Sequence, residues 1–162
     1  MIIAADSSPL ISFAIIDQLD ILPKIFTDIY IPKAVYDEII IWDKPHAIKL
    51  KVFAANRIKY IQNRIAVEIL REDLDLGEAE TIVLALELGV NEILIDENKG
   101  RKIARSNGLY TIGTIGTLLQ AKKGGHIKYV KLFLDKLINN RIRISKELYM
   151  EALDIADENK TA

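Results

Sequence analysis

The stretch Met1-Ile2-Ile3-Ala4-Ala5-Asp6-Ser7-Ser8-Pro9-Leu10 decides how the rest of the chain is read. Ile2 to Ala5 form a short, unbroken apolar run, the pattern of a strand covered on both faces inside a parallel sheet. Asp6 ends the run. Ser7 or Ser8 then offers a hydroxyl for capping a helix, and Pro9 suits the first helical turn. Leu10, Phe13 and Ala14 continue at helical spacing. A strand, a polar turn carrying an acid, and a helix make the opening of a βαβ unit.

The same alternation continues downstream. Strands are expected at 28–31 (closed by Pro32), 58–61, 92–95 and 109–112. Helices are expected at 33–41, 47–55, 63–70, 77–88, 98–106, 114–123, 127–137 and 145–157, with a break at Asp43 to Pro45. Gly89, Asn107-Gly108 and Gly124-Gly125 supply stop signals. No internal repeat or low-complexity segment interrupts the series. Alternating strands and helices predict a single-domain three-layer α/β/α fold with a mostly parallel sheet. We divide it into a catalytic core, residues 1–125, and a C-terminal helical extension of the same domain, residues 126–162. Right-handed crossovers place every strand's C-terminal end on one edge, where ligands bind in such sheets.

Composition removes several kinds of chemistry. The 162 residues include no cysteine, which excludes disulfides, thiolate nucleophiles and cysteine-ligated metals. The two histidines, His46 and His126, are far apart in sequence, so no His-x-x-x-His metal motif exists. No apolar run is long enough to span a bilayer, and the N-terminus lacks the basic region of a signal peptide. The expected location is the cytoplasm, with no membrane partner. A net charge of −1 means that any nucleic-acid binding depends on local patches of charge.

Four acids stand out by position. Asp6 follows the first strand, and Asp96, with Glu97 beside it, follows the strand at 92–95. Glu38 shares a helical face with Ala34, Val35, Ile41 and Trp42, whereas Asp37 aligns with Lys33 as an ordinary surface pair. Glu78 lies at the edge of the apolar stripe Ala79, Ile82, Val83, Leu86, while Glu80 aligns with Leu84 and Glu87, further towards solvent. Gathered together, Asp6, Glu38, Glu78 and Asp96 (with Glu97 as a competitor for the fourth place) would repel one another unless they held cations. All-oxygen ligands suit Mg²⁺ or Mn²⁺. Such ions activate water and stabilise a phosphodiester oxyanion. The competing account of each acid is a helix cap or a lysine partner.

Asp6-Ser7-Ser8-Pro9-Leu10-Ile11, Ile31-Pro32-Lys33-Ala34-Val35-Tyr36-Asp37-Glu38-Ile39, Gly77-Glu78-Ala79-Glu80, Leu94-Ile95-Asp96-Glu97-Asn98-Lys99-Gly100-Arg101 and Gly113-Thr114-Ile115-Gly116-Thr117-Leu118-Leu119 together resemble a PIN-domain subfamily of bacteria and archaea. The resemblance runs in order over nearly the whole chain. It implies a parallel sheet with helices on both sides and Mg²⁺- or Mn²⁺-dependent ribonuclease activity. It also implies catalytic and metal-binding roles for Asp6, Glu38, Glu78 and Asp96, with Glu97 as a further metal ligand. Some such proteins are VapC-like toxins neutralised by a small antitoxin, and many form homodimers, an assembly that the apolar faces of the C-terminal helices suit. The expected partner is single-stranded RNA. Glutamate at position 78 and the Asp96-Glu97 doublet depart from the commoner pattern. They keep open a second reading, a catalytically weak PIN scaffold that binds nucleic acid or protein. A phosphatase using Asp6 as nucleophile fits less well, because position 8 is serine where a second aspartate is wanted.

Ser7 and Thr114 are candidates for supporting the acids, although capping explains either one alone. Lys99 and Arg101 follow the fourth acid and are candidates for phosphate binding. Eight basic residues and one acid, Asp135, lie between 121 and 146, against ten acids and one arginine between 66 and 97. Lys122, Lys123 and Lys128 head this basic strip and are the expected substrate-binding residues, with a solvated helix face as the alternative.

Overall fold

In the computed structural model, which describes residues 1–41 and 45–159, the chain builds one five-stranded sheet. The strands are β1 (Ile2–Ala5), β2 (Asp28–Pro32), β3 (Ile58–Lys59), β4 (Glu92–Leu94) and β5 (Tyr110–Ile112). Their order is β3-β2-β1-β4-β5, and every pairing is parallel. The chain therefore moves outward from β1 on one side and returns to its other side with β4. The reversal falls between the C-terminal ends of β1 and β4, the crevice where open α/β sheets bind ligands. Asp6 and Asp96 sit on its two banks. The Asp6 N–H donates to the Leu94 carbonyl at 2.9 Å, which carries the β1–β4 ladder to the acid itself.

Alternation along the strands separates two cores. Ile3, Ala5, Ile29, Ile31 and Leu94 face one layer, packed by α1 (Ser7–Ile15), α3 (Lys33–Ile40), α4 (Pro45–Ala54), α8 (Thr114–Lys123), α9 (Val130–Asn139) and α10 (Lys146–Ile155). Ala4, Ile93 and Ile95 face the other, packed by α5 (Arg64–Leu70), α6 (Leu76–Leu88) and α7 (Asn98–Ser106). A short 3₁₀ turn at Leu19–Ile21 and helix α2 (Leu22–Ile25) complete the chain and were not expected from the sequence. Leu10 and Phe13 are fully buried, each contributing about 1.5–3 kcal/mol of hydrophobic stabilisation. The residues beyond 125 add to this same core through Val130, Leu134, Leu137, Ala152 and Leu153. Glu158 fastens them. Its carboxylate accepts from the Val130 and Lys131 N–H groups at 2.7 and 3.0 Å, and from Lys122 Nζ at 3.0 Å.

Two expectations change. Residues 43 and 44 of the expected break, Trp42 and residues 160–162 lie outside the described residues. Ile41 is 77% exposed and takes no part in an apolar face around Glu38. Glu80 is buried, not turned towards solvent: it accepts from the Ala34 N–H at 3.1 Å and from Arg64 Nη1 at 2.8 Å. The reason is tertiary. The first turn of α3 abuts α6, and an acid from the neighbouring helix satisfies one of its open N–H groups, where Pro32 at the N-cap has no side chain to do so. Glu80→Ala should cost about 1–2 kcal/mol, since it leaves a half-buried donor unpaired and a largely exposed guanidinium without its partner. A shift of the urea midpoint at constant slope would show it.

Candidate acidic site at the sheet edge

Asp6 is set at the end of β1 by the ladder bond just described and is only 2% exposed. It occupies the N-cap position of α1, yet its side chain makes no capping hydrogen bond. Its Oδ1 is buried without any hydrogen-bond partner among the described residues. Burial pushes its pKa up to about 8. The Ser7 N–H opposes this, and the charges of Asp75, Glu78 and Glu38 add to it. Glu38 projects from α3 towards it. A Cβ built on Gly77 would lie 3.0 Å from Glu38 Oε2 and 3.4 Å from Asp6 Oδ1, so the two carboxylates converge where position 77 has no side chain. Burial also raises Glu38, against a hydrogen bond from the Ser7 hydroxyl.

Glu78 is buried at the start of α6, in a reciprocal cap with Asp75. The Glu78 N–H donates to Asp75 Oδ1 at 2.8 Å, and the Asp75 N–H donates to Glu78 Oε2 at 3.1 Å. Burial raises the Glu78 pKa, Asp75 opposes this through its N–H, and the charges of Asp75, Glu97 and Glu38 reinforce it. Asp96 is held from its own side of the crevice by Thr114, which follows β5 and whose N–H and hydroxyl each donate at 2.7 Å. Glu97 is exposed at the N-cap of α7. Asp75 was not among the expected residues. The signal for it was the Asp75-x-x-Glu78 spacing of a capping box.

These placements test the fit to a divalent cation. An orphaned carboxylate oxygen in a buried, acid-crowded position, beside a second carboxylate and a glycine, suits a hard cation bound by two protein ligands and completed by water, as Mg²⁺ commonly is. Among the described residues, no three His, Asp or Glu side chains are grouped to hold an ion as a closed cage. Asp6 and Glu38 form the cradle, while Glu78 and Asp96 are tied to Asp75 and Thr114.

Ser7, Glu38, Asp96, Arg101 and Thr114 border one cavity of about 750 Å³, which runs from this edge across α1 and α8 to α10. Arg101 and Asp96 both close on Gly113: a Cβ there would meet Asp96 Oδ1 at 2.7 Å and Arg101 Nη1 at 3.0 Å. The remaining basic candidates lie elsewhere. Lys99 pairs loosely with Asp73 at 3.6 Å on the surface, and Lys122 is engaged by Glu158 and the Ala156 carbonyl. Lys123 and Lys128 are outside the cavity, the latter over the Tyr129 ring.

A parallel sheet with acids gathered at its switch point, bordering an open cavity, defines an α/β protein built to act on a ligand at its strand ends. The family profile described as a PIN domain matches residues 2–158, and the chain belongs to that family, whose members are generally nucleases. No curated protein and no solved structure matches it significantly. Among the described residues, no helix is long and apolar enough to cross a membrane.

The raised acids have a thermodynamic consequence. A carboxylate whose pKa is higher folded than unfolded costs stability as pH rises from the unfolded pKa towards the folded one. For Asp6 that window runs from about pH 4 to about pH 8. Without divalent ions, Tm should fall across it. Asp6→Asn should flatten the fall and stabilise the protein at pH 8 by a few kcal/mol. Millimolar Mn²⁺ should raise the parent's Tm and leave Asp6→Asn unmoved. Gly77→Ala should also abolish the Mn²⁺ response, because the methyl takes the space between Asp6 and Glu38. Differential scanning calorimetry at pH 5 and pH 8 checks all three.

Proposed function

We propose that the chain is a Mg²⁺- or Mn²⁺-dependent endoribonuclease acting on single-stranded RNA. The observation that supports this most directly is the orphaned, buried Asp6 Oδ1 facing Glu38 over a residue without a side chain. Asp6 and Glu38 would hold the ion. When bound, it supplies positive charge that acidifies an attacking water and stabilises charge developing on the phosphate.

The chain's own residues do the rest. Glu78 adds negative charge behind the cradle and is fixed in place by Asp75, so it attracts the cation without swinging free. Thr114 holds both Asp96 oxygens, which leaves their remaining lone pairs to accept hydrogen bonds from water in the cavity. Arg101, beside Asp96 and without an ion pair among the described residues, offers a guanidinium to a phosphate oxygen. Burial of Asp6 favours its protonation below about pH 8 in the absence of an ion, so cation binding releases a proton and strengthens as pH rises.

That no closed three-ligand cage occurs among the described residues favours a second reading, a weakly catalytic or inactive member that binds nucleic acid. One experiment separates the two. Mixed-sequence RNA incubated with the protein should be cut in Mn²⁺ and not in EDTA. Asp6→Asn and Glu38→Gln should each lose about 100-fold or more, and Thr114→Val about 10-fold through loss of Asp96 orientation. RNA left intact in Mn²⁺, or cut equally by Asp6→Asn, rejects the nuclease reading.

A further inference from the structure

Helices α1, α6, α7, α8, α9 and α10 end in the same way, with a residue of positive φ at the C-cap (α6) or just past it. Two N–H groups there fold back onto the last turn. In α9 the Arg141 N–H donates to the Ile138 carbonyl at 3.0 Å, and the Ile142 N–H to the Leu137 carbonyl at 3.0 Å. Glycine fills the left-handed position in three of the six (Gly89, Gly108, Gly125), and aspartate in two (Asp17, Asp157). Both residue types tolerate that conformation. α9 alone uses arginine, at φ 67°. A long side chain with no local means of easing this backbone is retained where glycine serves elsewhere in the same chain.

The location of Arg141 supplies a reason. It lies in the α9–α10 connection Arg141-Ile142-Arg143-Ile144. Ile142 and Ile144 pack partly against the core, which anchors the segment, while Arg141 and Arg143 are exposed and line the cavity. That cavity is the one bordered at its other end by Glu38, Asp96 and Arg101. Neither arginine side chain has an ion pair or hydrogen bond among the described residues. Most of the neighbouring lysines are already engaged: Lys122 with Glu158, Lys131 with Asp135, and Lys128 and Lys136 over aromatic rings. One acid, Glu151, shares the lining near the arginines, and much of the rest is apolar.

We propose that Arg141 and Arg143 form a phosphate clamp at the far end of this cavity, holding the backbone of a single-stranded nucleic acid whose neighbouring phosphate lies at the acidic edge. The inference rests on the nuclease reading above and deepens it. Guanidinium groups match phosphate bidentately and keep their charge at any working pH. Apolar side chains between the two charged ends, Ile115 and Leu119 among them, give bases a surface to lie on. A held cation would accept either a phosphate or a peptide carboxylate at the acidic edge, and the apolar lining between the charged ends, which takes flat base faces, is what favours nucleic acid over an acidic peptide.

The test uses Arg141→Gly and Arg143→Ala in the full chain, with Lys24→Ala as a control outside the cavity. Binding of a fluorescent single-stranded RNA is followed by anisotropy in Ca²⁺, a hard cation for the acidic edge, with the strand shown to be uncut on a gel, over a series of salt concentrations. Each lost phosphate contact should make the slope of log K against log salt shallower by about 0.7, with weaker binding at every concentration. Arg141→Gly should also raise Tm by about 2–4 °C, because glycine relieves the left-handed strain. Arg143→Ala should leave Tm unchanged. A variant that is more stable and binds worse is the signature of a side chain kept for its ligand. The proposal is overturned if the parent does not bind RNA, or if both variants bind with the parent's slope. It is also overturned if a glutamate-rich peptide, but not RNA, binds in an arginine-dependent way. Cleavage in Mn²⁺ by the parent is scored separately, so the clamp can fail while the nuclease reading stands, and the reverse.

Discussion

The structure depends on a carboxylate placed where it is least comfortable. Asp6 stands at the end of the central strand, between the two halves of the sheet, with its N–H tied into the ladder and one oxygen buried away from every donor among the described residues. An unpaired buried acid is among the costlier features a fold can carry. Here the surroundings make it worse, since Glu38, Glu78 and Asp75 all add negative potential. Only a proton or a cation relieves the crowding. The sheet order, the N-terminal turn of α6 and the missing side chain at Gly77 all serve to maintain that arrangement.

The neighbouring acids are not equivalent. Glu38 shares the open space with Asp6. Glu78 is restrained by the reciprocal cap with Asp75, and Asp96 by two short hydrogen bonds from Thr114. Such outer partners fix where charge sits before any ligand arrives, so little reorganisation is left for the moment of binding. They also explain why the acids do not close into a cage around one point.

How much of this the sequence disclosed varies from residue to residue. The strands were legible because each is a short apolar run stopped by a polar or breaking residue, and Asp6 and Asp96 were legible because they are those stops. Helical phase found Glu38 and Glu78. It misplaced Glu80, because phase on one helix says nothing of what packs against it, and the N-terminus of α3 happens to need an acceptor there. It placed Ile41 on an apolar face, where the described residues leave it exposed. Asp75 carried a readable spacing that went unread. Counting basic residues found a strip but could not sort it: whether a lysine is free or held by Glu158 depends on contacts between segments 36 residues apart. The cap at Arg141 is equally hidden, since nothing in the residue type announces a left-handed backbone.

Glu158 has a bearing on the order in which the molecule comes into being. The acids at 6, 38, 78 and 96 all precede residue 100 in the chain, and the sheet that carries them is complete at Ile112. The cavity wall is not. α9 and α10 are clasped to α8 by a carboxylate near the far end of the described chain, reaching back to Lys122, Val130 and Lys131. During synthesis from the N-terminus, the charged edge can therefore assemble while the trough beside it still lacks its outer side. The clasp is late by its position in the chain, since Glu158 follows every residue of the sheet. A nascent chain would thus possess its acids well before it possessed a place to lay a strand against them.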